Sequence, residues 1–165
     1  MIFETVVLGI GNTLMEDDGV GNYIVEELKT RGVFPGLRLE KGETDTEFCL
    51  DVLEETEKII LIDAVHMGNP PGTVSIFELD NEFFQSLPSA GMAHNFSLFH
   101  GMKLYGCQRE GLLIGIEAAS VNCRFGLSEE LTEKMPRIVD TVTRQIESYL
   151  TDIGELVVPI DRVFE

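Results

Sequence analysis

Carboxylate and imidazole side chains follow several of the strands that the sequence predicts. Parallel strands end at one edge of a sheet, so side chains that follow different strands can meet there, where α/β proteins bind their ligands. These side chain types are ligands for zinc, nickel, manganese and iron. The candidates for such a cation site, in chain order, are Asn12, Glu16, Asp17, Asp18, Glu43, Thr44, Asp45, Asp63, His66, His94 and Glu117.

Asp63 is the strongest single candidate because it directly follows the aliphatic run 59–62. An acid in that position is costly unless it is paired or binds a metal, so it is either a ligand or the acceptor of a buried hydrogen bond from a loop amide. Asp17 and Asp18 directly precede a glycine. They are either cation ligands or caps of the first helix. Glu16 is predicted to be a solvated turn residue.

The sequence lacks the motifs of several common classes of enzyme. The segment Gly9-x-Gly11-x-x-Leu14 lacks the third glycine of a dinucleotide-binding fingerprint, and the acids that follow it would oppose a pyrophosphate. There is no P-loop, no G-x-S-x-G elbow, no H-E-x-x-H motif and no adjacent Cys–His pair. The sequence therefore favours metal-assisted chemistry over a protein nucleophile.

Composition restricts the cellular setting and the partners. The 165 residues carry 29 acids against 12 bases, a net charge of −17, which repels nucleic acid and anionic membranes and favours a partner with a basic docking surface. No apolar run approaches the roughly 20 residues that span a bilayer, and the first residues have no basic segment typical of a signal peptide. The three widely spaced cysteines, Cys49, Cys107 and Cys123, predict free thiols in a reducing cytoplasm.

Hydrophobic periodicity predicts a three-layer αβα sandwich. Its mostly parallel, twisted sheet has about five strands, at residues 5–10, 37–40, 58–65, 73–79 and 111–117, with 73–79 as an antiparallel edge strand. Helices are predicted around residues 20–28, 48–53, 96–104 and 128–150. Because Pro136 falls inside the last of these, we expect a kink there or a start nearer Glu133. Residues 1–150 form one predicted domain, and 151–165 a C-terminal extension of unknown role.

Four ordered signatures give the chain a recognisable family resemblance. They are the segment 9–21, with the pattern G-N-x-L-x-x-D-D-G-x-G, the segment Leu61-Ile62-Asp63-Ala64, His94, and Gly126-Leu127-Ser128. Over about residues 5–150 the chain resembles the hydrogenase maturation proteases. These endopeptidases remove the C-terminal extension from the precursor of the NiFe-hydrogenase large subunit.

The resemblance implies roles for particular residues. The family's metal-binding and catalytic trio corresponds to Asp18, Asp63 and His94, and would bind nickel already loaded into the precursor. Asp17 would support this site or cap the helix. Zinc or cadmium could take the same ligands in vitro. The loop that contacts the substrate tail corresponds to Gly42, Glu43, Thr44 and Asp45, with Glu43 where many members carry glycine. Glu117 receives no role from the resemblance.

The resemblance thus implies a cytoplasmic, nickel-dependent endopeptidase that recognises its precursor through the substrate-bound nickel. We expect a monomer that neither binds nucleic acid nor inserts into a membrane. The main alternative is a non-catalytic, metal-sensing docking protein for the same precursor on the same fold. A different hydrolase that shares the scaffold is a third interpretation, because a fold alone does not fix a function.

Overall fold

The predicted strands form one sheet, in nearly the predicted places. A computed structural model describes residues 3–85 and 96–155 of the chain. The strands are β1 (Phe3–Ile10), β2 (Arg38–Glu43), β3 (Thr56–Val65), β4 (Val74–Leu79) and β5 (Glu110–Glu117). Their order in the sheet is β2-β1-β3-β5-β4, and only β4 runs antiparallel to its neighbour. The prediction of a mostly parallel sheet with an antiparallel edge strand is confirmed.

Helices cover both faces of the sheet and complete the predicted three layers. They are α1 (Val20–Arg31), α2 (Thr46–Glu54), α3 (Asn81–Gln85), α4 (Phe96–Leu104) and α5 (Glu129–Asp152). Apolar side chains of α1 and α5 pack on one face, around Ile60, Ile62 and Ile114. Side chains of α2, α3 and α4 pack on the other face, around Leu8, Leu61 and Leu113. Of these helices, only the short α3 was not predicted.

β3 is the central strand, and its sequence shows why. Every residue from Ile59 to Val65 is buried, because a strand with a parallel neighbour on each side and a helical layer on each face has no solvent-facing side. The strand therefore carries Asp63 into the interior together with its aliphatic neighbours.

The start of α5 corrects one prediction. The helix begins at Glu129, where the Ser128 hydroxyl accepts a hydrogen bond from Leu131 N at 3.2 Å, so the alternative start near Glu133 is wrong. Pro136 lies inside the helix and removes one backbone donor. The buried row from Ile138 to Leu150 offsets that loss by packing along the sheet.

The described part of the chain contains no helix that is long and apolar enough to cross a membrane. α5 continues to Asp152, beyond the boundary predicted at residue 150. Residues 156–165, which make up most of the predicted extension, lie outside the described residues. The division into residues 1–150 and 151–165 stays a prediction.

Candidate active site

The first element of the site is the turn that follows β1. After Ile10 the chain turns through Gly11 into a short 3-10 helix (Glu16–Gly19). Gly11 has a φ of +122°, and a Cβ atom there would lie 1.9 Å from the carbonyl oxygen of Asp18. Only glycine fits this position, so the glycine of the signature allows the acidic turn to fold back over the end of β1.

Asp18 lies under this turn and lines a cleft. Its side chain is buried, and Oδ2 accepts a hydrogen bond of 2.8 Å from the backbone N–H of Asn12. The cleft opens between the first turn, the segment after β2 and α4. Its walls include Asn12, Asp18, Glu43, Thr44, Asp45 and Leu98. The structure thus brings one predicted metal ligand and most of the predicted substrate loop into one cleft.

Asp63 lies directly behind Gly11, and a Cβ built on Gly11 would be 3.4 Å from Asp63 Oδ1. The Asp63 side chain is 1% exposed, and Oδ1 has no hydrogen-bond partner among the described residues. Burial raises the pKa of the Asp63 carboxyl well above its ordinary value, and the negative charge of Asp18 raises it further, although the backbone of Ala64 donates a hydrogen bond that opposes the rise. An unpartnered, buried carboxylate oxygen beside a second acid is an environment that a cation would stabilise.

Asp17 points away from the cleft and has a structural role. Oδ1 accepts from Ser128 N at 2.8 Å, and Oδ2 accepts from Ala119 N, Ser120 N and Ser128 Oγ at 2.9, 3.0 and 2.8 Å. The side chain is fully buried. Asp17 therefore fixes the turn after β1, which carries Asp18, to the loop after β5 and to the start of α5.

Two expectations about the acidic turn are wrong. Glu16 was predicted to be solvated but is 5% exposed, because the turn packs against the loop after β5, where Glu16 N donates to Arg124 O at 2.9 Å. The capping interpretation of Asp17 and Asp18 also fails. Neither the 3-10 helix nor α1 is capped by a side chain, and their N-cap residues are Met15 and Gly19.

Asn22, which the sequence analysis missed, joins the two walls of the cleft. Its Nδ2 donates to Gly11 O at 2.9 Å, and its Oδ1 accepts from Glu43 N at 3.0 Å. Gly11 N also donates to Glu43 O at 2.9 Å. The signal in the sequence was an amide on the otherwise apolar, buried side of α1, which includes Val20 and Ile24. A buried amide needs polar partners, and these partners lie at the site.

The predicted substrate loop begins within β2. The register between β1 and β2 changes here, since Gly9 pairs with Lys41 and Ile10 with Glu43, which leaves Gly42 as an extra residue. A Cβ atom on residue 42 would lie 2.4 Å from Cys49 Sγ, which is too close. Glycine fits this position because it has no Cβ atom. Glu43 follows with a φ of +49° and is exposed, as is Thr44. Asp45 caps α2 by accepting from Phe48 N at 3.0 Å.

Glu117 shapes the loop that follows β3. Its carboxylate accepts hydrogen bonds from Met67 N at 2.8 and 3.0 Å and from Asn69 N at 2.7 Å. The side chain is 3% exposed. Glu117 thus has a positioning role, whereas His66, on the same loop, is exposed to solvent.

The third predicted ligand, His94, lies outside the described residues. Within residues 3–85 and 96–155, no group of three or more histidine, cysteine, aspartate or glutamate side chains is arranged to hold a metal. α4, which begins at Phe96, brings Leu98 to the cleft wall. The trio of Asp18, Asp63 and His94 therefore stays a prediction, with Asp18 and Asp63 adjacent in the described part.

Comparison with known proteins fixes the family. The model of the HycI hydrogenase maturation protease family matches residues 22–145, about three quarters of the chain. The chain belongs to the hydrogenase maturation protease family. It is accordingly an endopeptidase, and this favours the predicted enzyme over the non-catalytic docking protein.

Individual relatives agree with this assignment. The hydrogenase expression/formation protein HupM of Azotobacter chroococcum is 29% identical over 93% of this chain and 75% of its own length. HupD of Thiocapsa roseopersicina is 30% identical, over 92% of this chain and 69% of its own. The solved structure of the hydrogenase maturating endopeptidase HybD from E. coli superimposes with a TM-score of 0.76, covering 96% of this chain and 99% of its own at 22% identity. This likeness confirms the fold.

Proposed function

We propose that this protease removes the C-terminal extension from the precursor of a NiFe-hydrogenase large subunit and that it recognises nickel already bound in that precursor. Asp18, Asp63 and His94 would be the ligands that the enzyme contributes to the nickel. The observation that carries the proposal is the unpartnered Asp63 Oδ1, buried behind Gly11 and next to Asp18. A divalent ion would stabilise the ionised form of these two carboxyl groups, which burial otherwise opposes at Asp63.

Two carboxylates and one imidazole leave coordination positions open for the precursor's own ligands. Nickel held between the enzyme and the substrate near the scissile bond would polarise its carbonyl group or activate a water molecule. This agrees with a sequence that offers no serine or cysteine nucleophile motif. Zinc or cadmium would fit the same donors in vitro, because affinity alone does not select among these ions.

The substrate tail would lie in the cleft beside Asp18. The exposed Glu43 and Thr44 form one wall, and Asn22 holds that wall against the turn after β1. The tail would then pass the nickel at a fixed distance, because the Asn22 amide and the hydrogen bond from Gly11 N to Glu43 O both join the two walls of the cleft. The setting would be the cytoplasm, where the three free cysteines stay reduced.

The experiment compares cleavage of nickel-loaded precursor by the wild-type enzyme and by the variants Asp18→Ala, Asp63→Asn and His94→Ala. The released C-terminal peptide is followed by mass. We expect each variant to lose roughly a hundredfold or more in rate. The exposed residues Asp51 and His66 supply matched controls, since Asp51→Ala and His66→Ala should cut like wild type. Wild-type cleavage by Asp18→Ala would show that the site is assigned to the wrong residues.

A further inference from the structure

Three large apolar side chains are exposed on loops that follow neighbouring strands. Leu14 follows β1, Met67 follows β3 and Phe125 follows β5, and their exposures are 60%, 50% and 74%. These strands lie side by side in the order β1-β3-β5. Single exposed apolar residues are ordinary, but a group of them on adjoining loops marks an interaction surface. We call these three residues the apolar rim.

Main-chain contacts hold the rim in place. Met15, next to Leu14, forms a β-bridge with Arg124, next to Phe125. On the loop that carries Met67, the backbone N–H of that residue is held by the buried carboxylate of Glu117. The exposed side chains are therefore presented by fixed loops. A partner that binds them loses little free energy in ordering this surface, which favours affinity.

The rim is continuous with the cleft. Asn12 lines the cleft, and its Oδ1 accepts a hydrogen bond from Leu14 N at 3.0 Å, so the first rim residue lies in the same turn as the cleft wall. Asp17 joins this turn to the start of the loop that carries Phe125, through Ala119 N and Ser120 N. If the C-terminal tail of a partner protein occupied the cleft, the part of the partner that precedes its tail would contact the apolar rim.

We propose that the apolar rim is the docking surface for the folded body of the protein whose C-terminal tail enters the cleft. This inference rests on the proposed function and adds a second recognition element to it. The complementary surface is an apolar patch bordered by lysine or arginine, because the net charge of −17 attracts a basic surface. The tail then supplies the scissile bond, and the rim supplies much of the affinity.

The test measures KM and kcat for nickel-loaded precursor with the variants Leu14→Ser, Met67→Ser and Phe125→Ser. Leu104 and Tyr105 give matched controls, because they are 78% and 72% exposed and precede β5, away from the strand ends that carry the site. We expect each rim variant to raise KM roughly fivefold to thirtyfold with kcat unchanged, as for truncated residues at the centre of an interface. Leu104→Ser and Tyr105→Ser should leave both constants unchanged. Thermal unfolding of each variant confirms that the fold is kept.

Two results would overturn the proposal. In the first, all three rim variants have the same KM as the controls while Asp18→Ala is inactive. The proposed function then stands, and the rim has no part in docking. The other is a change in sedimentation from dimer to monomer in the rim variants with unchanged KM, which would make the rim a contact between two copies of this chain. Full activity of Asp18→Ala would instead count against the proposed function itself.

Discussion

Asp17 binds both the backbone N–H and the hydroxyl of Ser128, which lies 111 residues later in the chain. The two contacts, each 2.8 Å long, attach the turn that carries Asp18 to the first residue before α5. Ser128 in turn caps that helix. The buried Asp17 carboxylate thus joins two parts of the chain that are distant in sequence, while its neighbour Asp18 lines the cleft.

Replacement of Asp17 should cost mainly stability. Asp17→Ala leaves four donors without their acceptor, two of them on the buried Ser128, so we expect the free energy of unfolding to fall by about 3 to 5 kcal/mol, measured by urea denaturation. The exposed Asp51 provides the control, since Asp51→Ala should change it by less than about 0.5 kcal/mol. A loss for Asp17→Ala no larger than that of the control would mean that these hydrogen bonds do not hold the turn.

Replacement of Asn22 should affect both stability and cleavage. Asn22→Ala removes the amide that joins Gly11 O to Glu43 N and leaves only the backbone hydrogen bond from Gly11 N to Glu43 O between these two residues. We expect the free energy of unfolding to fall by about 2 kcal/mol and kcat/KM to fall as well, because the cleft walls are held less firmly. The assay is run well below the unfolding temperature of the variant. Asn122→Ala, at an exposed asparagine, is the control. If Asn22→Ala is destabilised but cuts like wild type, the amide supports the fold without setting the width of the cleft.

Replacement of Asp63 should separate stability from activity. Asp63→Asn replaces a buried carboxyl group whose ionisation the interior opposes and whose Oδ1 has no partner in the described structure, so we expect the variant to be about 1 to 3 kcal/mol more stable at pH 7 and inactive. The raised folded-state pKa means that the wild type loses stability as pH rises from about 4, the unfolded value, toward the folded value. The advantage of the variant should therefore shrink as pH falls and vanish below about pH 3, where the wild-type carboxyl is neutral in both states. Equal stability at pH 7 would argue that burying this carboxyl group costs the wild type nothing.

The three thiols should differ in reactivity. Cys123 is exposed, whereas Cys49 and Cys107 are buried, and burial raises the pKa of Cys49 to about 12. We expect one rapid adduct with N-ethylmaleimide at pH 7.5, and peptide mapping should place it on Cys123. The Cys123→Ser variant should show no rapid adduct. A second fast adduct on Cys49 in the native protein would contradict its buried position on α2, where its Sγ packs against Gly42.

Sequence patterns predicted the layers of the fold and the edge at which the site lies, because periodicity and strand ends are local properties. They placed β3 and Asp63 correctly, since a buried parallel strand is recognisable from its continuous apolar run. The partners of Asp17 were not predictable, because Ala119, Ser120 and Ser128 come close only after β5 has taken its place in the sheet. The burial of Glu16 and the role of Asn22 were missed for the same reason. Both depend on contacts between loops rather than on spacing along the chain.

The dependence of cleavage on nickel decides whether the enzyme recognises the metal in its substrate. Wild-type enzyme is mixed in excess with precursor that is either loaded with nickel or free of it, and the released C-terminal peptide is followed by mass over one turnover. We predict that only the nickel-loaded precursor is cut and that His94→Ala abolishes this cleavage. Cleavage of nickel-free precursor at the same rate would contradict the account, because Asp18, Asp63 and His94 would then have no metal to recognise.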